Sequence, residues 1–239
     1  MSELIRINKY LSDCGICSRR KADKDILSGM VFVNKIKAKI GMKIDPNQDE
    51  IIYKGQIVKN KNNKVYYALY KPRGIISSSS DELGRKSVID FVPSSPKIYP
   101  VGRLDKYSEG LIILTNDGET TNVLTHPKNT HEKEYEVRVR TKNPNIDTRE
   151  IEKTFLGGLR INNILMKADR VKAEKVINSD NVEINMVLHT GHNRQIRKMC
   201  DKIYLDIVKL KRIRVGKLLL SGLKLKPGEY KTIKKSDIL

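Results

Sequence analysis

Hydrophobic positions near the N-terminus recur at helical spacing and predict two short helices. Gly15 is suited to end the first helix. Ser18 is a favoured N-cap for the second, which should run through Leu27 and stop at Gly29. The apolar positions of the first predicted helix are Leu4, Ile5, Ile7, Tyr10 and Leu11.

Short strands are predicted after these helices. Val31–Val33 and Ile36–Ile40 are rich in β-branched residues and are separated by an Asn34–Lys35 turn. The KNKNNK stretch at 59–64 has no apolar periodicity and is typical of a linker. Beyond it, strand and helix patterns mix, so a change of domain is expected there.

The longer second part of the chain predicts an α+β fold with a largely antiparallel sheet. In Glu134–Arg140, strict alternation places Tyr135 and two valines on one face and four charges on the other. A helix is predicted over Asp147–Leu156, closed by two glycines, and Asn116–Gly118 indicates a turn. Further strands are predicted at 65–74 (ending at Pro72), 98–101, 111–115, 171–177, 182–189 and 207–214.

The charge of the chain points to a polyanionic partner. The 239 residues carry 47 Lys and Arg against 28 Asp and Glu, a formal net charge of +19. Residues 1–63 hold 13 basic against 7 acidic side chains, and the remainder holds 34 against 21. Two separately basic parts favour a long ligand such as RNA over a single anionic pocket. A generally lysine-rich proteome is the alternative explanation.

Cysteine usage and hydropathy limit the class of protein. Three cysteines, at Cys14, Cys17 and Cys200, fit a reducing compartment and provide no disulfide framework. The C-x-x-C pair lacks the second half of a zinc site, so no metal is predicted. There is no signal-peptide pattern and no apolar run near the ~20 residues of a membrane span. The expected location is the cytoplasm.

Two basic helices are candidate RNA contacts. The stretch HTGHNRQIRKMCDKI predicts a helix from about Asn193, with arginines on one face and an apolar stripe on the other. The second N-terminal helix places several cations in its first two turns, where they oppose the macrodipole. A phosphate bound there would remove this penalty; a solvated charged face is the alternative. Those cations are Arg19, Arg20, Lys21 and Lys24.

One acidic residue in the basic surroundings is unexplained by turn chemistry. The stretch VGRLDKYSEGLIILTNDGE contains two loop acids, and Asp117 is accounted for by the N-D-G turn. Asp105 precedes a strand that is predicted to be buried, and an acid at an RNA surface repels phosphate. From the residues alone it is either neutralised structurally by an arginine or retained for chemistry.

Two family resemblances extend this interpretation. The segments RINKYLSDCGICSRRKAD and GMVFVNKIKAKIG, within residues 4–53, resemble the S4 RNA-binding domain. The stretch GRLDKYSEGLIILTNDG resembles the signature of the RsuA-type pseudouridine synthases that modify ribosomal RNA, and YKPRGIISSSSDE, HEKEYEV and GHNRQIRKM agree in the expected order. Within that family, the stretches NKYLSDCGICSRRKAD, HEKEYEV and NRQIRKMC are most similar to the F-type enzymes of large-subunit (23S) ribosomal RNA.

The resemblance implies roles for individual residues. Asp105 would be the catalytic aspartate, Tyr135 the active-site tyrosine and Arg197 the arginine that pairs with the aspartate. Arg103 would occupy or support the space left when the target base flips out of its helix. The remaining implied RNA contacts are Arg194 and Lys71 in the catalytic domain, and Arg19, Arg20 and Lys24 in the S4-like domain.

The resemblance also implies the organisation and the activity. An S4-like domain at 1–58, a linker at 59–64 and a catalytic domain at 65–239 with a mixed, largely antiparallel sheet and flanking helices are expected. The protein would isomerise a uridine of 23S ribosomal RNA as a monomer, with no cofactor, no metal and no membrane partner. Small-subunit ribosomal RNA or a tRNA is the alternative substrate, and a non-catalytic ribosome-assembly protein is the alternative of another class.

Overall fold

The computed structural model describes residues 4–59, 63–79, 81, 83–126, 129–141, 143, 145–177 and 179–239. The chain divides into two compact units. The first unit comprises Met1–Lys64 with the short segments Ser95–Lys97 and Asn116–Gly118, and the second comprises Val65–Ser94, Ile98–Thr115 and Glu119–Leu239. Within the predicted linker, residues 60–62 lie outside the described residues.

The first unit packs two helices against short strands. Its core is apolar and includes Ile7 and Leu11 from the first helix and Ile26 from the second. Strands β3-β2-β5-β6 form one antiparallel sheet, and β1 pairs with β4. The elements are β1 (Ile5–Arg6), α1 (Ile7–Asp13), α2 (Arg19–Leu27), β2 (Val31–Val33), β3 (Ile36–Lys37), β4 (Lys43–Ile44), β5 (Ile51–Tyr53) and β6 (Gln56–Ile57).

The second predicted helix is confirmed, and the start of the first was wrong. Ser18 caps α2 by accepting a hydrogen bond from the backbone N–H of Lys21 at 3.2 Å. Helix α1 begins only at Ile7, because Ile5 pairs with Ile44 in a β-ladder that removes its backbone from the helix. Leu4 is exposed. Helical spacing alone could not reveal this tertiary pairing. Strand β3 ends at Lys37 and is therefore shorter than the predicted Ile36–Ile40.

The second unit is built on one large sheet. Nine strands form it, with β13-β14-β10-β15-β9-β7-β17 as its path, β16 on β15 and β8 on β9. Every described strand pairing within this sheet is antiparallel except that of β9 with β15. The α+β class with a largely antiparallel sheet is therefore confirmed.

The elements of the second unit are β7 (Tyr66–Lys71), β8 (Tyr99–Val101), β9 (Glu109–Thr115), α3 (Gly118–Thr125), β10 (Lys133–Arg140), α4 (Thr148–Gly157), β11 (Leu159–Ile161), β12 (Ile164–Met166), β13 (Arg170–Lys175), β14 (Asn181–Leu188), α5 (Gln195–Lys202), β15 (Asp206–Val215), β16 (Leu218–Leu219), α6 (Leu220–Leu223) and β17 (Tyr230–Thr232). Two 3₁₀ turns lie at Val88–Phe91 and Lys235–Asp237. Strands β11 and β12 form a separate hairpin.

Strands β7 and β9 are buried on both faces, which explains their continuous apolar runs. Leu111 and Ile113 pack into one core cluster with α3 and α6, whereas Ile112 and Leu114 pack into another on the opposite face. A third cluster lies under α4 and α5. Side chains therefore pack on both faces of β7 and β9, and the loops at the ends of these strands are attached to a well-packed core.

Gly110 is required by the close approach of two strands. A Cβ at this position would lie 2.2 Å from the backbone oxygen of Arg212, its partner in the parallel pairing of β9 with β15. Its φ of +106° also lies in the region that favours glycine. The glycine of the signature stretch therefore allows β9 to enter the sheet directly after the loop that carries Asp105.

The structure shows which elements two of the predicted segments connect. The turn signal at Asn116–Gly118 lies where β9 ends at Thr115 and α3 begins at Gly118. Helix α5 begins at Gln195 rather than near Asn193, since Arg194 adopts a left-handed conformation with φ of +53°. Among the described residues, no helix has both the length and the apolar character to cross a bilayer.

Candidate active site

The loop between β8 and β9, residues 102–108, carries Asp105 and is held on both sides. The Leu104 side chain is buried in the core under β7 and β9. Its backbone N–H donates to Ser77 Oγ at 3.1 Å, and the Ser77 hydroxyl donates back to the Leu104 carbonyl at 2.8 Å. The Ser108 N–H then closes a turn on the Asp105 carbonyl at 3.0 Å. The carboxylate is 32% exposed, so it is accessible without being freely solvated.

Lys71, at the end of β7, holds this loop in place through hydrogen bonds from its buried side chain. Its side chain is fully buried, and its ammonium donates to the carbonyls of Ser108 at 2.6 Å, Pro72 at 3.0 Å and Lys106 at 3.4 Å. Burial lowers the pKa of Lys71 to about 8, while the charge of Asp105 opposes that shift. The structure contradicts the expectation that Lys71 contacts RNA, because its three donors are already used inside the protein.

Arg197 approaches Asp105 from helix α5. Its Nε lies 3.4 Å from Asp105 Oδ2, and its Nη2 donates to Ser108 Oγ at 3.0 Å. Strands β9 and β15 run parallel side by side, so the loop that enters β9 and the helix that precedes β15 meet at one end of the sheet. The predicted pairing of Arg197 with the aspartate is present in the geometry.

Arg194 supplies a second guanidinium to the same carboxylate. Its Nη1 lies 3.7 Å from Asp105 Oδ2, and its side chain is half exposed. The loop before it is fixed by Gln195, whose side chain accepts from Thr190 Oγ1 at 3.0 Å and donates to the Lys167 carbonyl at 3.1 Å. This buried glutamine fixes the backbone before Arg194, and the half-exposed arginine side chain can meet both the carboxylate and an incoming anion.

A cleft of about 100 Å³ lies over these groups. Tyr135, from β10, lines it and is partly buried against two core clusters. The backbone of Tyr135 pairs across the sheet with Arg212, which pairs with Gly110 on its other side, so the tyrosine stands close to the Asp105 loop. Arg103 is exposed at the edge of the cleft.

Sequence reasoning missed several residues of this site. Ser108 and Gln195 are buried, and both lie in stretches that the sequence analysis had marked as candidate functional segments. No spacing rule, however, indicates that a serine should contact Arg197 or that a glutamine should fix the backbone before Arg194. His192 and Thr190 line the cleft beside Arg194. The described residues contain no group of three or more His, Cys, Asp or Glu side chains arranged to hold a metal ion.

In the first unit, α2 exposes its cations as predicted. Arg19, Arg20 and Lys24 are all exposed, and no acidic side chain lies in the first turn. Lys21 is paired with Asp25 at 3.3 Å, and Asp25 accepts from Tyr53 Oη at 2.6 Å. That contact lowers the pKa of Asp25. Helix α2 therefore exposes Arg19, Arg20 and Lys24 to solvent, whereas Lys21 forms an ion pair with Asp25 of the same helix.

The chemistry available in the cleft is that of a positioned carboxylate. An aspartate with two guanidiniums at 3.4 and 3.7 Å can attack an electrophilic carbon or accept a proton. The half-exposed Arg194 and the exposed Arg103 make the surroundings attractive to phosphate. An aromatic ring on the wall of the cleft offers a stacking surface for a flat substrate.

Comparisons with known proteins identify the relatives of the chain. The family model described as RNA pseudouridylate synthase matches residues 65–202, and the S4 domain model matches residues 5–49. The dual-specificity RNA pseudouridine synthase RluF of Escherichia coli (strain K12) is 38% identical over 98% of this chain and 77% of its own length.

Two further relatives cover nearly the whole of both chains. The ribosomal large subunit pseudouridine synthase B of Bacillus subtilis (strain 168) is 38% identical over 96% of this chain and 95% of its own. A solved structure, the crystal structure of pseudouridylate synthase, aligns over 98% of each chain with a TM-score of 0.66 and 25% identity. The predicted resemblance is confirmed for both parts of the chain.

Proposed function

Because the chain belongs to the RNA pseudouridylate synthase family, we propose that it isomerises a specific uridine of 23S ribosomal RNA to pseudouridine. The observation that carries the proposal is the Asp105 carboxylate, which lies 3.4 Å from the Arg197 guanidinium in a cleft lined by Tyr135. The Bacillus subtilis relative named for the large ribosomal subunit supports the choice of RNA.

The reaction requires a carboxylate beside the ribose of an extruded nucleotide. Asp105 either attacks the anomeric carbon, as the nucleophile of a retaining glycosidase does, or removes a proton from the 2′ carbon. The base then turns, its carbon 5 bonds to the anomeric carbon and loses its proton, and N1, whose bond to the sugar has broken, gains a proton. Substrate and product are isomers and nothing is oxidised, so no cofactor is required.

The other residues of the cleft would position the nucleotide. Tyr135 would stack on the flipped uracil, and Arg194 would contact the RNA backbone while remaining near Asp105. Arg103 would occupy or support the gap that the flipped base leaves in the RNA helix. Flipping costs a few kcal/mol, and phosphate contacts from both parts of the chain would offset it.

The first unit would supply a large part of those contacts. We propose that residues 1–58 form the RNA-binding domain, 59–64 a linker and 65–239 the catalytic domain. The exposed cations Arg19, Arg20 and Lys24 on α2 would bind phosphates. We further propose that the protein acts as a monomer in the cytoplasm, where ribosomal RNA is processed.

The proposal is tested by mapping carbodiimide-reactive pseudouridines across total RNA from cells with and without this gene. One position in 23S ribosomal RNA should lose its signal and regain it with the wild-type gene but not with Asp105→Asn. A lost position in small-subunit RNA or in a tRNA would change the substrate and keep the chemistry. An identical map in both strains would refute the enzymatic proposal.

A further inference from the structure

An exposed tyrosine stands beside the cleft and is not explained by packing. Tyr107 follows Asp105 by two residues in the loop 102–108, and it remains 56% exposed. Their Cα atoms are therefore at most about 7.6 Å apart. A single exposed aromatic on a protein surface needs no explanation by itself. The surroundings of this ring, however, are unusual.

Two cations from different loops lie over the Tyr107 ring. Lys106 Nζ is 5.5 Å from the ring centroid, and the guanidinium carbon of Arg73 is 5.8 Å from it. Both distances are within the range of a cation–π contact. Arg73 and Lys106 are themselves exposed. The ring and the two charges thus form one accessible surface.

The backbone on both sides of Tyr107 is fixed. The Gly74 N–H donates to the Lys106 carbonyl at 2.7 Å, which ties the loop of Arg73 to the loop of Tyr107. The buried ammonium of Lys71 donates to the carbonyls of Lys106 and Ser108, the residues immediately before and after the tyrosine. The ring is therefore exposed because hydrogen bonds fix the backbone on both sides of it, and not because the loop is loosely packed.

We propose that Tyr107, Arg73 and Lys106 form a stacking subsite for an unpaired nucleobase of the substrate RNA, adjoining the nucleotide at Asp105. The inference rests on the proposed function, since it places a neighbouring nucleotide of the same RNA. Aromatic faces combined with cations that follow the backbone are how proteins bind single-stranded nucleic acid. Since the Cα atoms of Asp105 and Tyr107 are at most about 7.6 Å apart, the subsite would take a base one or two positions from the target.

The direct test uses Tyr107→Trp as a reporter. The chain contains no tryptophan, so the variant would have a single emitting indole. The probes are a ten-residue oligouridylate and an abasic ribose-phosphate oligomer of the same length, at low salt. Stacking predicts that the oligouridylate quenches the emission and the abasic oligomer does not. Tyr204→Trp is the matched control, because Tyr204 is 88% exposed and does not line the cleft.

Removal of the ring gives the second readout. Tyr107→Ala should weaken oligouridylate binding about tenfold, equivalent to about 1.4 kcal/mol, whereas Tyr107→Phe should stay within twofold of the wild type and Tyr204→Ala should be unchanged. On ribosomal RNA from cells that lack the gene, Tyr107→Ala should raise KM more than it lowers kcat.

The outcomes separate the two proposals. Equal quenching by both oligomers, no quenching by either, or a Tyr107→Ala variant with wild-type affinity would overturn the stacking subsite. If the wild-type enzyme nevertheless forms pseudouridine in that RNA, the proposed function stands without the subsite. If the wild-type protein forms none, the proposed function fails, whatever the oligomers show.

Discussion

Replacement of Arg197 by alanine should damage stability and turnover together. The side chain is 14% exposed and joins helix α5 to the Asp105 loop, across 92 residues of sequence. The change removes the ion pair with Asp105 and the hydrogen bond to Ser108 Oγ. It leaves the carboxylate with only the more distant, half-exposed Arg194 at 3.7 Å.

The expected loss of stability follows from these two contacts. A charge-assisted hydrogen bond to a carboxylate that is one third exposed contributes about 1–2 kcal/mol, and the contact with Ser108 adds about 1 kcal/mol. Their sum, about 2–3 kcal/mol, is smaller than the 3–5 kcal/mol typical of breaking a fully buried pair. In a domain of this size each kcal/mol lowers Tm by about 2–4 °C, so a decrease of about 4–12 °C is expected.

In Arg197→Ala, the turnover rate should fall by more than the loss of folded protein alone would cause. Once its partner is lost, Asp105 can move relative to the ribose, and a displacement of about 1 Å costs on the order of a hundredfold in rate. Arg197→Lys should recover only part of both losses, because an ammonium lacks the fork that reaches Asp105 and Ser108 at once.

Thermal unfolding followed by circular dichroism and single-turnover formation of pseudouridine measure the two effects. The matched control is Arg138→Ala, which removes an exposed pair with Glu183 on the same sheet; such a pair contributes at most about 1 kcal/mol, so Tm should fall by less than about 4 °C. If Arg197→Ala keeps Tm within 1 °C of the wild type and turns over within about twofold of it, the ion pair does not organise the site.

Three further predictions test other parts of the site. Asp105→Asn keeps the shape of the side chain but removes the nucleophile or base, so turnover should fall by about a thousandfold or more at nearly unchanged RNA affinity; residual turnover within tenfold of the wild type would exclude the catalytic role. Glutamine at Arg19, Arg20 and Lys24 together should reduce the slope of log K against log salt by about 2, and an unaltered slope would show that α2 does not bind phosphate. The pKa of Lys71 is about 8 in the folded protein and 10.5, its ordinary value, in the unfolded chain, so unfolding takes up a proton between these pH values. The wild type should therefore gain stability relative to Lys71→Met as pH rises through this window. A Tm difference between the two proteins that stays constant from pH 7.5 to 10 would contradict the lowered pKa of this buried lysine.

Much of the fold was predictable because its elements are encoded by local patterns. The alternation in Glu134–Arg140 places Val137 and Val139 in the core, as expected from a period of two. Asp147 caps α4 with a hydrogen bond to the Arg149 N–H at 2.9 Å. The errors arose where a distant segment competed with local preference, as when Ile5 joined a ladder with Ile44 instead of extending α1.

The candidate site was predictable in part for a similar reason. The residue types at 105, 135 and 197 were visible in the signature stretches, and the structure brings all three to one cleft. Lys71 was assigned to RNA through the family resemblance, and only the packing of β7 against β9 shows that its side chain is buried. Ser108 was overlooked because its importance lies in one contact with Arg197.

The sequence by itself determined most of the elements, the α+β class, the basic character and the acid at Asp105, since these follow from composition and from patterns within a few residues. Only the tertiary structure decided which charges meet. The parallel pairing of Gly110 with Arg212 sets β9 beside β15, and that register carries Arg197 to Asp105. A contact between residues 92 positions apart depends on how strands are aligned in the sheet, and no local spacing rule encodes that alignment.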